Sequence, residues 1–158
     1  AGAEFDIKPF GIRAMDSMRL EKSYRLIPRE MSIEYSAYES GLDRFIRLDK
    51  EEDFIGKTGL SEWQKQGASN GFVTLEVIGV TDADARGSEA IYKDGEVVGR
   101  GTSGGYGWRC NKSLALGLVR IDLAKVGTEL EIEILGEKYK AIVIEESPFD
   151  PNNECLRS

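Results

Sequence analysis

Apolar and polar positions divide the chain into two parts of different period. Over residues 10–24 the apolar positions Ile12, Ala14, Met15 and Met18 recur at helical spacing among good helix formers, with Gly11 at the entrance and Pro28 closing the segment. This predicts an amphipathic helix. Arg19 follows Met15 by one helical turn, so its guanidinium is expected on or beside the apolar face instead of among solvated charges. Beyond it come a turn-rich stretch over 35–42 and an alternation, Phe45-Ile46-Arg47-Leu48, that reads as a short strand. A second helix is expected from about Lys57 to Gln66, with Leu60 and Trp63 inward and Gly67 as its stop. The small, polar run from Gln66 to Gly71 reads as a linker.

From Phe72 onward the period is that of strands. Apolar or alternating runs at 72–77, 90–92, 96–99, 114–119, 129–134 and 139–144 are separated by glycine-bearing turns. Lys93-Asp94-Gly95 carries the Asp-Gly signal of a hairpin, and Leu135-Gly136-Glu137-Lys138 makes a second turn. About six short strands without intervening helices predict a small closed or nearly closed antiparallel barrel. The expected fold class is α+β: helices and short strands over residues 1–66, then a β-barrel over residues 67–158.

Composition narrows the chemistry. With 158 residues, 41% hydrophobic and 31% charged, the chain can build one or two small cores. A net charge of -7 disfavours nucleic acid as a partner, so any anion it binds needs a local cationic pocket. Histidine is absent, which removes Ser-His-Asp and Cys-His catalysis and the commonest zinc ligand. Two distant cysteines, Cys110 and Cys155, make no disulfide scaffold and favour a reducing compartment. No apolar run approaches the roughly 20 residues of a membrane span, so no membrane partner is expected. The first residues are no signal peptide, and the non-methionine start hints at a piece of something longer.

Gly99-Arg100-Gly101-Thr102-Ser103-Gly104 matches the G-x-G-x-x-G dinucleotide pattern and follows a strand. That pattern needs a helix immediately behind it to hold pyrophosphate. The next residues, Gly105-Tyr106-Gly107-Trp108, are too glycine-rich for one, so the expectation is a glycine-rich barrel turn. The acidic clusters Asp82-Ala83-Asp84 and Glu51-Glu52-Asp53 lack a calcium-loop frame and read as solvated surface, with no metal site expected. Arg19 and Arg86 stand out by position, the second in a turn just ahead of a barrel strand. A planar guanidinium fork suits carboxylates. Simple pairing with Asp16 or Glu89 is the alternative.

The segment Gly11-Ile12-Arg13-Ala14-Met15-Asp16-Ser17-Met18-Arg19-Leu20-Glu21 resembles the G-x-x-A-x-D-S-L-R-L-E segment of the aminomethyltransferase (glycine cleavage T-protein) superfamily. Tyr38-Glu39-Ser40-Gly41-Leu42, Asp53-Phe54-Ile55-Gly56-Lys57, Thr102-Ser103-Gly104 with Lys112-Ser113-Leu114-Ala115-Leu116-Gly117, and Pro148-Phe149-Asp150-Pro151 follow in the family's order. Ala37 stands where that family's segment carries proline. Residues 43–50 are more similar to the flavin-linked dimethylglycine and sarcosine dehydrogenases. The resemblance implies that residues 1–66 are the C-terminal part of a folate-binding domain, with the barrel packed over it. It implies tetrahydrofolate as cofactor, held by Arg19, Arg86 and a tail residue near Glu154. FAD and the family's catalytic aspartate would belong to upstream domains of a parent protein, so Asp16 is not that aspartate and no catalytic residue is expected in this chain. The parent would oxidise an N-methyl amine and pass the one-carbon unit to tetrahydrofolate, in a bacterial cytoplasm or a mitochondrial matrix; the isolated chain would be inactive. Alternatives are a flavin-free folate-dependent aminomethyltransferase or S-demethylase, and a non-catalytic binding module.

Overall fold

The computed structural model describes residues 2–157. Helices α1 (Ile12–Glu21) and α2 (Lys57–Gln66) precede six strands: β1 (Asn70–Val77), β2 (Ala90–Lys93), β3 (Glu96–Gly107), β4 (Lys112–Arg120), β5 (Glu129–Ile134) and β6 (Glu137–Ile144). A short helix, α3 (Glu154–Arg157), lies at the end of the described chain. The strands close into one antiparallel barrel in the order β1-β4-β3-β2-β5-β6, with β6 pairing back to β1. The α+β class and the six-stranded barrel are those the sequence patterns predict.

Alternation fills the barrel. Val73, Leu75 and Val77 of β1, Leu130, Ile132 and Ile134 of β5, and Ala141 and Val143 of β6 point into one buried core. β4 differs because both its faces are covered. Ala115 and Val119 face inward, while Leu114 and Leu116 are buried beneath Leu20 of α1. Asp94-Gly95 and Leu135-Gly136 form the hairpin turns with φ of 52° and 86°, and 53° and 85°. Two successive left-handed residues match the right-handed twist of the strands they join.

Five local expectations are corrected. Helix α1 ends at Glu21, well before Pro28. Ser23 takes φ 53°, its amide bonds to Leu20 O at 2.9 Å, and the Tyr24 amide bonds to Arg19 O at 3.0 Å. This is a Schellman stop with serine in the position usually given to glycine. The hydroxyl explains the exception, since Ser23 Oγ bonds Thr74 Oγ1 at 2.7 Å and accepts from the Ser147 amide at 3.0 Å in the interior.

Burial on α1 is graded along its axis, not around its circumference. Arg19, Leu20 and Glu21 are buried against the barrel, whereas Ile12, Met15 and Met18 are 72%, 44% and 41% exposed. On α2, placed as expected, no side chain is buried and Trp63 is 46% exposed, so Leu60 and Trp63 do not seat it on a core. Residues 45–48 form no strand; Asp43–Phe45 is a single 3-10 turn followed by loop. Nor does the glycine-rich stretch form a turn, because 99–107 continue β3 as paired strand.

Those glycines serve close approach. A Cβ on Gly99 would come within 2.7 Å of Val119 Cα, and one on Gly104 within 2.5 Å of Ala85 O. Backbones thus cross the strand at distances that only glycine tolerates.

The N-terminal half grips the barrel through carboxylates. Glu39 accepts from the Ser36 amide and hydroxyl at 3.0 and 3.1 Å, and from the Asn70 amide and side chain at 3.0 and 3.1 Å. Glu21, 2% exposed, accepts from the Arg109 and Cys110 amides at 2.6 and 3.3 Å and so fastens the β3–β4 turn to α1. Arg25 spans to Glu146 at 2.7 Å and lies 3.7 Å over the Phe72 ring.

Candidate functional site

Where α1 meets β3 and the 80–89 loop, a cleft of about 280 Å³ is lined by four arginines, Arg13, Arg19, Arg29 and Arg86, with Asp16, Asp84, Tyr106 and Trp108 among the other walls. The local structure explains the convergence. Arg19 sits in the last turn of α1, the turn that is seated. Arg86 is carried by a loop pressed onto β3, with Ala85 over Gly104, and Gly87 so close that a Cβ there would meet Thr102 O at 2.8 Å. The glycines of the false dinucleotide motif therefore bring the Arg86 loop down beside Arg19.

The two expected arginines are brought together but differ in state. Arg19 is 9% exposed; its Nε donates to Asp16 at 2.9 Å, Nη1 to Tyr24 O at 3.1 Å and Nη2 to Ser103 Oγ at 2.9 Å. Behind it lies Glu30, fully buried, whose Oε1 accepts from Thr102 and Ser103 hydroxyls at 2.6 Å each and whose Oε2 accepts from the Leu26 amide at 2.8 Å. The same Oε2 lies 3.9 Å from Arg19 Nη1. The group is a closed network in which two acids offset one arginine.

Arg86 is exposed, and Glu89 accepts from its backbone amide at 2.6 Å, not from its guanidinium. Arg29 Nη1 donates to Arg86 O at 3.4 Å and to Ser103 Oγ at 3.5 Å. Among the described residues no carboxylate pairs with the guanidinium of Arg13, Arg29 or Arg86. On a chain of net charge -7 this is a concentrated local excess of cation.

Glu154 is not part of this cleft. It is exposed at the start of α3, its amide bonded to Asp150 at 2.7 Å. That tail is tied to the end of α1 by Lys22 Nζ, which donates to Asp150 O at 2.5 Å and Asn153 Oδ1 at 2.7 Å. Asp82 and Asp84 are exposed and line a larger neighbouring hollow, of about 790 Å³, with Arg86, Tyr106 and Trp108. Sequence reasoning missed Arg13 and Arg29, the buried Glu30, and the Tyr106–Trp108 wall. Only the last had a local signal, two aromatic residues alternating with glycine beside a strand.

Fold and cleft together define a class: a closed antiparallel barrel with a helical segment docked on its wall and an arginine-rich hollow at the junction. Residues 71–150 match the glycine cleavage T-protein C-terminal barrel domain, and residues 1–50 match the GCVT N-terminal domain. The chain belongs to the glycine cleavage T-protein family.

It is 40% identical over 146 residues to human mitochondrial dimethylglycine dehydrogenase, covering 92% of this chain and 17% of that protein. To the aminomethyltransferase of Clostridium botulinum strain Okra it is 35% identical over 145 residues, covering 92% of the chain and 39% of the relative. The chain thus spans well under half the length of these relatives. The crystal structure of the glycine cleavage system aminomethyltransferase T from Bartonella henselae superposes with a TM-score of 0.85 at 23% identity, over 95% of this chain and 42% of that one.

Proposed function

We propose that this chain is the C-terminal, tetrahydrofolate-binding portion of a larger one-carbon enzyme of the dimethylglycine or sarcosine dehydrogenase type. Residues 1–66 complete its folate-binding domain and residues 67–158 form its barrel. The observation that carries this reading is the cleft in which Arg86, Arg29 and Arg13 have no carboxylate partner among the described residues, beside Arg19, since a pteroylglutamate ends in carboxylates that planar guanidinium forks hold in pairs of hydrogen bonds. Arg86 takes the tail carboxylate, and Arg19 holds the wall against which it lies. Glu154 enters as a third contact, and from its place outside the cleft it meets a different part of the ligand. Tetrahydrofolate supplies the acceptor for the one-carbon unit. FAD and the catalytic aspartate belong to upstream domains, against which the exposed Ile12, Met15 and Met18 pack.

A flavin-free aminomethyltransferase is the second reading, favoured by the identity to aminomethyltransferases over nearly the same residues. Under either reading this chain alone turns over neither dimethylglycine nor an aminomethylated carrier, and detectable turnover would sink the proposal. Calorimetry of tetrahydrofolate with the full-length protein tests the site. Arg86→Ala is expected to weaken binding by about 1.5–3 kcal/mol, the range of a hydrogen bond to a charged group. Glu154→Ala tests the third contact in the same titration. Unchanged affinity in Arg86→Ala removes the folate assignment.

A further inference from the structure

Trp108 is 75% exposed, yet it is no loose surface ring. It stands on the β3–β4 turn against Tyr106, the two rings edge to face with centroids 4.9 Å apart and planes at 73°. Ser17 of α1 donates to Tyr106 O at 2.6 Å, and buried Glu21 of the same helix accepts from the amides of Arg109 and Cys110 immediately after the tryptophan. Arg109 in turn lies 4.7 Å over the Phe149 ring. The turn is therefore braced on both sides while its largest apolar surface faces water. A rigid, amphipathic ring exposed in this way is the usual anchor of a binding site.

Its position gives the ligand. Tyr106 and Trp108 line both the arginine cleft and the larger hollow of about 790 Å³, which also receives Val80 and Leu135. Arg86 lies at the junction of the two. One side of the aromatic pair is thus cationic and the other partly apolar, with a volume in the range of small-molecule pockets. We propose that Trp108, braced by Tyr106, is a stacking wall for an aromatic ring carried next to a carboxylate, the p-aminobenzoyl class, with the carboxylate on Arg86. The assignment rests on the folate reading above and adds to it the residue that selects the aryl amide over other carboxylates.

The experiment is calorimetry on the full-length protein with two probes, tetrahydrofolate and p-aminobenzoylglutamate. Trp108→Leu keeps an apolar side chain and removes the ring; it is expected to weaken both probes by roughly 5- to 150-fold, the loss that removing one stacked ring produces. Trp108→Phe restores a ring face and is expected to bind both within about threefold of the unsubstituted protein, which separates stacking from a structural role. Urea midpoints of both variants check that the fold is intact. If Trp108→Leu binds both probes normally while Arg86→Ala binds weakly, the stacking wall is overturned and the folate site stands. If Arg86→Ala also binds normally, the folate reading itself has failed. A loss of affinity that Trp108→Phe does not recover likewise overturns the stacking role.

Discussion

Arg19 and Arg86 line the same cleft with opposite degrees of satisfaction, and that difference decides what each substitution does. Arg19 donates to Asp16, Tyr24 O and Ser103, and faces buried Glu30. Arg19→Ala leaves a buried carboxylate with less compensation and is expected to lower stability by about 3 kcal/mol, the lower end for breaking a buried ion pair. Arg86→Ala removes an exposed fork without a carboxylate partner and is expected to change stability by less than about 0.5 kcal/mol. Urea midpoints of the two variants measure the contrast; equal losses would contradict it. Its place beside the apolar stripe singled Arg19 out in the sequence, but that stripe is exposed and Arg19 is buried because it lies at the seated end of α1. The partner Ser103, 84 residues away, was not legible in the sequence, because only barrel closure and the docked α1 bring the two together.

Helix α1 shows why an apolar stripe does not by itself name the buried side. Its Ile12, Met15 and Met18 are exposed, and its seated residues Arg19, Leu20 and Glu21 lie on successive positions at one end. A helix that leans on the barrel by its last three residues buries what those positions present, whatever their polarity. Replacing Met15 and Met18 by Gln is therefore expected to cost this chain less than about 0.5 kcal/mol. Leu20→Ala, which empties the contact with Leu114 and Leu116, is expected to cost about 2–5 kcal/mol. Thermal or urea unfolding of the three variants compares them directly. Strand periods were more faithful guides than the helical stripe, since each strand has its partner within the barrel. The run at 99–107 escaped them because glycine carries no side chain to alternate.

Across the whole molecule, the first 66 residues are held to the barrel by polar clamps more than by a shared core. Glu39 is the most explicit of these. Burial pushes its pKa up, but the amide and hydroxyl of Ser36 and the amide and side chain of Asn70 outweigh that and bring it below the ordinary value of 4.5. A group whose folded-state pKa is depressed binds fewer protons folded than unfolded, so stability rises with pH through that window. The contribution of Glu39 is complete above the ordinary value and is lost as pH falls through the lowered one. Glu39→Gln is expected to be less stable at neutral pH and to show a shallower loss on acidification, read from urea midpoints between neutral and acid; parallel curves would remove Glu39 as the clamp. By itself the sequence determined the barrel, its strands and hairpins, the family, and the peculiarity of two arginines, because period, turn chemistry and ordered motifs are local. Only the tertiary structure decided which end of α1 is covered, that Arg19 is engaged and Arg86 open, and that Arg13, Arg29 and Trp108 share their cleft. Those facts depend on how the barrel curves and where glycine lets two backbones meet, distances that no stretch of sequence contains.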